Sequence, residues 1–86
     1  MKYEVLVADD HAIIRDGLKK ILADTDDLVV AGEAANGTAV MDLIRARDWD
    51  LLVLDLSMPG RSGLDLIRLI KAEKPKQAIL IFSMHH

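Results

Sequence analysis

Four residues stand where alternating apolar segments could bring them together: Asp9 and Asp10 after the first apolar run, Asp55 after the third and Ser83 after the fourth. Carboxylates gathered at one place repel each other unless a cation sits among them. A hard divalent ion resolves the conflict, and Mg2+ suits one or two carboxylates completed by water and phosphate oxygens. A carboxylate is also a nucleophile toward phosphorus, forming an aspartyl phosphate. The set points to phosphoryl acceptance on Asp55, with Mg2+ among the acids and the Ser83 hydroxyl donating to a phosphoryl oxygen. Singly, each residue has a plainer use: Asp9 or Asp10 as a helix N-cap, Asp55 as a strand end, Ser83 as a loop hydroxyl. A cap accounts for one Asp before the first helix but not for a second, nor for acids at two strand ends.

The convergence depends on the elements between these residues. Apolar runs at 5–8, 28–31, 51–54 and 78–82 read as strands, three of them continuous rather than alternating, as buried parallel strands are, with 28–31 the edge candidate. Between them Ile14, Leu18, Ile21 and Leu22, then Val40, Leu43 and Ile44, then Ile67 and Ile70 recur at helical spacing. The order βαβαβαβ predicts a parallel sheet with helices on both faces. Ligands of such sheets bind beyond the carboxyl ends of the strands, where the strand order reverses. Gly32, Gly37, Gly60 and Gly63 fall in or near the connections, and Gly17 inside the first helix.

The composition sets bounds on this reading. At 86 residues, 51% apolar and 29% charged, the chain is one domain. A chain this short buries only about 60–65% of its unfolded surface, so a missing element would leave it marginal. A net charge of −3 with no basic cluster argues against direct nucleic-acid binding, and the lack of Cys excludes disulfides and thiolate chemistry. No apolar run is long enough to span a bilayer and no signal peptide precedes the first, so the expected location is the cytoplasm. His11 reads as a solvent-facing first-turn residue in preference to a ligand or proton carrier, Met58 as a packing or loop-lining residue, and Trp49 as a half-buried anchor before the third strand. His85-His86 fits either native loop or the start of an affinity tag.

Asp9-Asp10-His11, the loop Asp55-Leu56-Ser57-Met58-Pro59-Gly60 with Gly63, and Ser83-Met84-His85 resemble the receiver domain of two-component response regulators, most closely the LuxR/NarL-type branch of transcription regulators. Three motifs in order on the right strand ends make the resemblance specific. It implies a flavodoxin-like fold with Asp55 as phosphoacceptor, Asp10 as a direct Mg2+ ligand, and Asp9 acting mainly through metal-bound water. Ser57 would complete the metal site through its backbone carbonyl, and Ser83 would be the switch hydroxyl. The phosphoryl donor it implies is a sensor histidine kinase, and the chain would accept the group on its own Asp rather than act as a turnover enzyme.

The resemblance also implies a last helix-strand-helix, with a Lys ending the fifth strand, whereas three residues follow Ser83. Residues 1–86 are therefore expected to be a partial receiver, with the DNA-binding output domain absent. The fourth strand would be an exposed apolar edge beside an uncovered sheet face, favouring a homo-oligomer. Three rivals compete. A haloacid-dehalogenase-like phosphatase needs a second Asp two residues after the first, where Ser57 stands. A nucleotide-binding fold needs a Gly-rich turn where Asp9 and Asp10 would repel phosphate. A non-catalytic interaction or oligomerisation fragment of a receiver is favoured by the truncation and opposed by the intact acidic set.

Overall fold

The computed structural model describes residues 2–60 and 62–82. Its elements are β1 (Tyr3–Ala8), α1 (Ala12–Ala23), β2 (Leu28–Ala34), α2 (Gly37–Ala46), β3 (Leu51–Asp55), α3 (Gly63–Glu73) and β4 (Ile79–Phe82). The four strands form one sheet in the order β2-β1-β3-β4, every neighbouring pair parallel. This is the expected flavodoxin-like arrangement, comprising four strands and three helices.

Side chains alternate between the faces of a strand, and β1 uses both. Leu6 and Ala8 join Leu52 and Leu54 of β3 under α2 and α3, where Val40, Ile44, Leu66 and Ile70 complete a closed core. Val5 and Val7 join Val53 on the opposite face, covered by Leu18 and Leu22 of α1. Burial on both sides explains why the runs of β1 and β3 are continuously apolar.

Three features differ from the sequence expectation. β2 reaches Ala34, because a register shift between Val5 and Leu6 pairs Val5 with Val30 but Leu6 with Gly32. The bulge absorbs one residue and lets a strand continue through Gly32, which is thus not in a connection. Ile21 does not pack inward and stays 65% exposed. Among the described residues α1 has sheet beneath it but no helix beside it, so one flank of its apolar stripe stays open. Trp49 is buried rather than half-buried, its Nε1 donating to the Leu43 carbonyl at 2.9 Å and the Arg47 guanidinium lying 4.3 Å over the ring. Met58 packs into the core under α2 and α3, the first of the two roles its position suggested.

Local chemistry sets where the helices begin. The Asn36 side chain accepts from Ala39 N at 2.8 Å to start α2, and Ser62 Oγ accepts from Asp65 N at 3.1 Å to start α3. Gly60, with φ of 94°, turns the β3–α3 loop through the left-handed region. Gly63 begins α3 so close to Leu56 that a Cβ there would lie 3.0 Å from the Leu56 Cα. The loop carrying Asp55 and Ser57 is thereby held against the start of α3.

Candidate functional site

The chain runs from β1 to β2 on one side and then crosses to β3 on the other, so the strand order reverses between β1 and β3. Ala8 lies opposite Leu54 in their register, which places Asp9 and Asp55 side by side at the carboxyl ends. Asp9 N donates to the Ala34 carbonyl at 3.0 Å, and Leu56 N to the Phe82 carbonyl at 3.2 Å, so both loops are tied to flanking strands as they leave the sheet.

Asp9 and Asp55 are 0% and 1% exposed, whereas Asp10 and His11 are open to solvent. One ligand atom from each of Asp9, Asp10, His11 and Asp55 can be chosen so that all lie within 4.8 Å of one another. Ser57 holds one side of Asp55, its N and Oγ donating to Oδ1 at 2.9 and 2.7 Å. His11 N donates to Asp9 Oδ1 at 2.7 Å, making a tight turn of the β1–α1 loop. The other oxygens, Asp9 Oδ2 and Asp55 Oδ2, are buried and bond no donor among the described residues. Buried carboxylate oxygens without partners are costly. Among the described residues no Lys or Arg pairs with the side chains of Asp9, Asp10 or Asp55. The donor set, all oxygen apart from one imidazole, fits a hard divalent cation.

The structure thus brings Asp9, Asp10 and Asp55 together with Ser57 beside them; Ser83 lies outside the described residues. Neither Asp9 nor Asp10 caps α1, since the N-cap is His11 and it makes no side-chain cap bond. The His11 ring is 59% exposed, but it does not simply face solvent: Nδ1 lies 2.9 Å from Asp9 Oδ1 and 3.1 Å from Asp10 Oδ1. The bond to Asp9, then the charge of Asp10, raise the imidazole pKa above its ordinary value.

Two residues that the sequence reading did not single out brace the site. Arg15 Nη1 donates to the Asp9 carbonyl at 2.6 Å while its Nε donates to Glu33 Oε1 at 3.1 Å, and Lys19 Nζ holds Glu33 Oε2 at 2.9 Å. The Lys19 bond, with Arg15 adding to it, keeps the Glu33 carboxyl below the usual glutamate range. The signal was present: Arg15 and Lys19 are one helical turn apart on a helix that must cross beside β2. A hollow of about 400 Å³ opens elsewhere, lined by Asp48, Trp49 and Lys74 to Gln77, at the amino ends of β3 and β4 and away from the acids.

The response regulator receiver domain family matches residues 5–86. The chain belongs to that family. Among similar receivers, the nitrate/nitrite response regulator protein NarL of Escherichia coli (strain K12) is 36% identical over 80 residues, covering 93% of this chain and 37% of NarL. The oxygen regulatory protein NreC of Staphylococcus carnosus is 39% identical over 83 residues, covering 95% of this chain and 38% of NreC. The isolated REC domain of RcsB from Salmonella enterica serovar Typhimurium, solved in the presence of phosphomimetic BeF3−, superposes with a TM-score of 0.91 at 34% identity, covering all of this chain and 64% of that one. RcsB has also been solved bound to promoter rprA, with a TM-score of 0.91 over 99% of this chain and 72% of that chain. The receiver spans less than two-fifths of the length of the curated relatives it matches. Receivers of this LuxR/NarL type are phosphorelay signalling domains of transcription regulators. Among the described residues no helix is long and apolar enough to cross a membrane.

Proposed function

We propose that Asp55 accepts a phosphoryl group from the phosphohistidine of a sensor histidine kinase, in the cytoplasm, as the input step of a transcription regulator. An Asp55 carboxylate oxygen forms the new P–O bond, the P–N bond to the donor imidazole breaks, and the imidazole leaves with the electron pair. The observation that carries the reading is the pair of buried oxygens, Asp9 Oδ2 and Asp55 Oδ2, that find no partner among the described residues. Asp9, Asp10, Asp55 and the Ser57 backbone carbonyl are the ligands we assign to Mg2+. Bound there, the ion offsets the negative charge that gathers on the phosphoryl oxygens. Ser57 fixes the rotation of the Asp55 carboxylate through its two bonds to Oδ1. Ser83 is assigned as the switch hydroxyl that meets the phosphoryl group. Residues 1–86 act in this scheme as a phosphoacceptor that is modified once, with DNA binding left to an output domain.

Incubation with Mg2+ and acetyl phosphate, followed by intact mass measurement, tests the assignment. The parent chain gains one phosphoryl group and the Asp55→Asn variant gains none; equal uptake by both, or none by either, refutes it.

A second reading, a non-catalytic oligomerisation module, draws on β4. Among the described residues that strand pairs with β3 on one side only, and Leu80 and Ile81 are 56% and 45% exposed. An open apolar strand edge is a template for another strand, here one from a second copy. Sedimentation velocity over a hundredfold range of concentration decides: self-association that Leu80→Lys abolishes supports the module, and a monomer throughout removes it.

A further inference from the structure

The receiver reading leaves His11 without a task. His is not among the residues favoured at a helix N-cap, and this one, with φ of −101° and ψ of 115°, makes no cap bond through its side chain. The backbone N–H of the same residue is instead fastened to Asp9 Oδ1 at 2.7 Å, which anchors the imidazole beside the acids. Its Nδ1 is 2.9 and 3.1 Å from oxygens of Asp9 and Asp10. Two donors bound to one small ion at right angles lie about 3 Å apart, given metal–ligand lengths of roughly 2.1 Å. A second observation, on the burial of these side chains rather than on their clustering, points to a bound cation: Asp9 Oδ2 and Asp55 Oδ2 are buried without a partner among the described residues.

We propose that His11 Nδ1 is a fourth side-chain donor to the cation held by Asp9, Asp10 and Asp55, and that it turns this site toward borderline first-row ions such as Mn2+ and Co2+. The proposal rests on the reading of the acidic cluster as a cation site and adds a selectivity to it. Hard oxygen donors alone suit Mg2+, whereas an imidazole nitrogen adds affinity that rises from Mn2+ through Co2+ to Ni2+. The ring is 59% exposed, so joining an ion requires little desolvation. Aspartates and histidine then divide the work: the carboxylates supply charge to any divalent ion, and His11 discriminates between ions.

Calorimetric titration of the parent chain, His11→Ala and Asp55→Asn with Mg2+ and with Co2+ tests this, because His11→Ala removes a solvent-exposed ring from the end of a helix. The expected result is a loss of about tenfold or more in Co2+ affinity for His11→Ala, with Mg2+ affinity changed less than twofold. The d–d absorption of bound Co2+ should also change shape between the parent and His11→Ala. The Asp55→Asn variant fixes the background from His85 and His86, which all three proteins share. An unchanged ratio of Co2+ to Mg2+ affinity in His11→Ala, whether neither or both constants move, overturns the proposal. Mg2+ binding by Asp55→Asn as tight as by the parent would sink the acidic-site reading itself, and the His11 role with it.

Discussion

The two faces of the sheet are finished to different degrees. Under α2 and α3 the core is closed, with Leu6, Val40, Ile44, Leu52, Leu54 and Ile70 all inaccessible to solvent. Under α1 the strand residues Val5, Val7 and Val53 are covered, yet no residue of α1 is itself buried, and Ile13 and Ile21 are 83% and 65% exposed. One face is held by packing. The other combines the packing of Leu18 and Leu22 with polar ties of Arg15 and Lys19 to Glu33, and it is the face from which the loop bearing Asp9 and Asp10 departs. The acids draw on both sides: the loop bearing Asp9 and Asp10 leaves toward α1, and the loop bearing Asp55 and Ser57 leaves toward α3 on the closed side.

Substitutions can sharpen this contrast. Ile70→Ala, on the closed face, should cost about 2–5 kcal/mol, enough to unfold much of a small domain; Leu18→Ala, its counterpart on α1, should cost only about 1 kcal/mol for partly buried methyl groups. Urea denaturation of both measures the difference, and equal losses would erase the asymmetry. Arg15→Ala should rank between them at about 1–2 kcal/mol, because it frees a backbone carbonyl and a carboxylate from a charged donor. The same variant should weaken Mg2+ binding several-fold by calorimetry, which a purely structural brace would not do. Gly17→Ala should act in the opposite sense: nothing lies within 4 Å of the added methyl group, and α1 should gain about 0.5–1 kcal/mol, read as a raised urea midpoint.

The smallest effect is the pH dependence. Glu33 is held below its ordinary pKa mainly by Lys19, and Glu73, on the other face, mainly by Arg45 of α2. A carboxylate lowered in the folded state stabilises the fold above its unfolded pKa, and that contribution is lost as the pH falls through the lower folded value. Both pairs are exposed and screened, so the change is modest. The urea midpoint should fall slightly on acidification below the ordinary glutamate range, and Glu33→Gln should flatten that slope.

Much of this was legible in the residues. Runs of apolar residues at β1 and β3 announced strands covered on both sides, and a parallel sheet then obliges Asp9 and Asp55 to meet, since their strands end together. β2 was less legible because Gly32 read as part of a connection, and only its pairing with β1 carries it on to Ala34. Arg15 escaped notice because basic residues one turn apart on a helix, as Arg15 and Lys19 are, usually form a solvated face, and their shared partner Glu33 is distant in sequence. The position of the His11 ring followed from a backbone bond to Asp9, which no pattern of residue types encodes.

Trp49 has a practical consequence. It is the chain's single tryptophan and sits just before β3, while Asp55 is the last residue of that strand. At about 3.3 Å per residue, roughly 20 Å of strand separates them. Its emission, set by the Leu43 carbonyl and the Arg47 guanidinium, should be blind to whatever binds at the acids and sensitive to loss of the core. The molecule thus carries a built-in optical reference, by which a titration at one end of the strand can be checked for unfolding at the other.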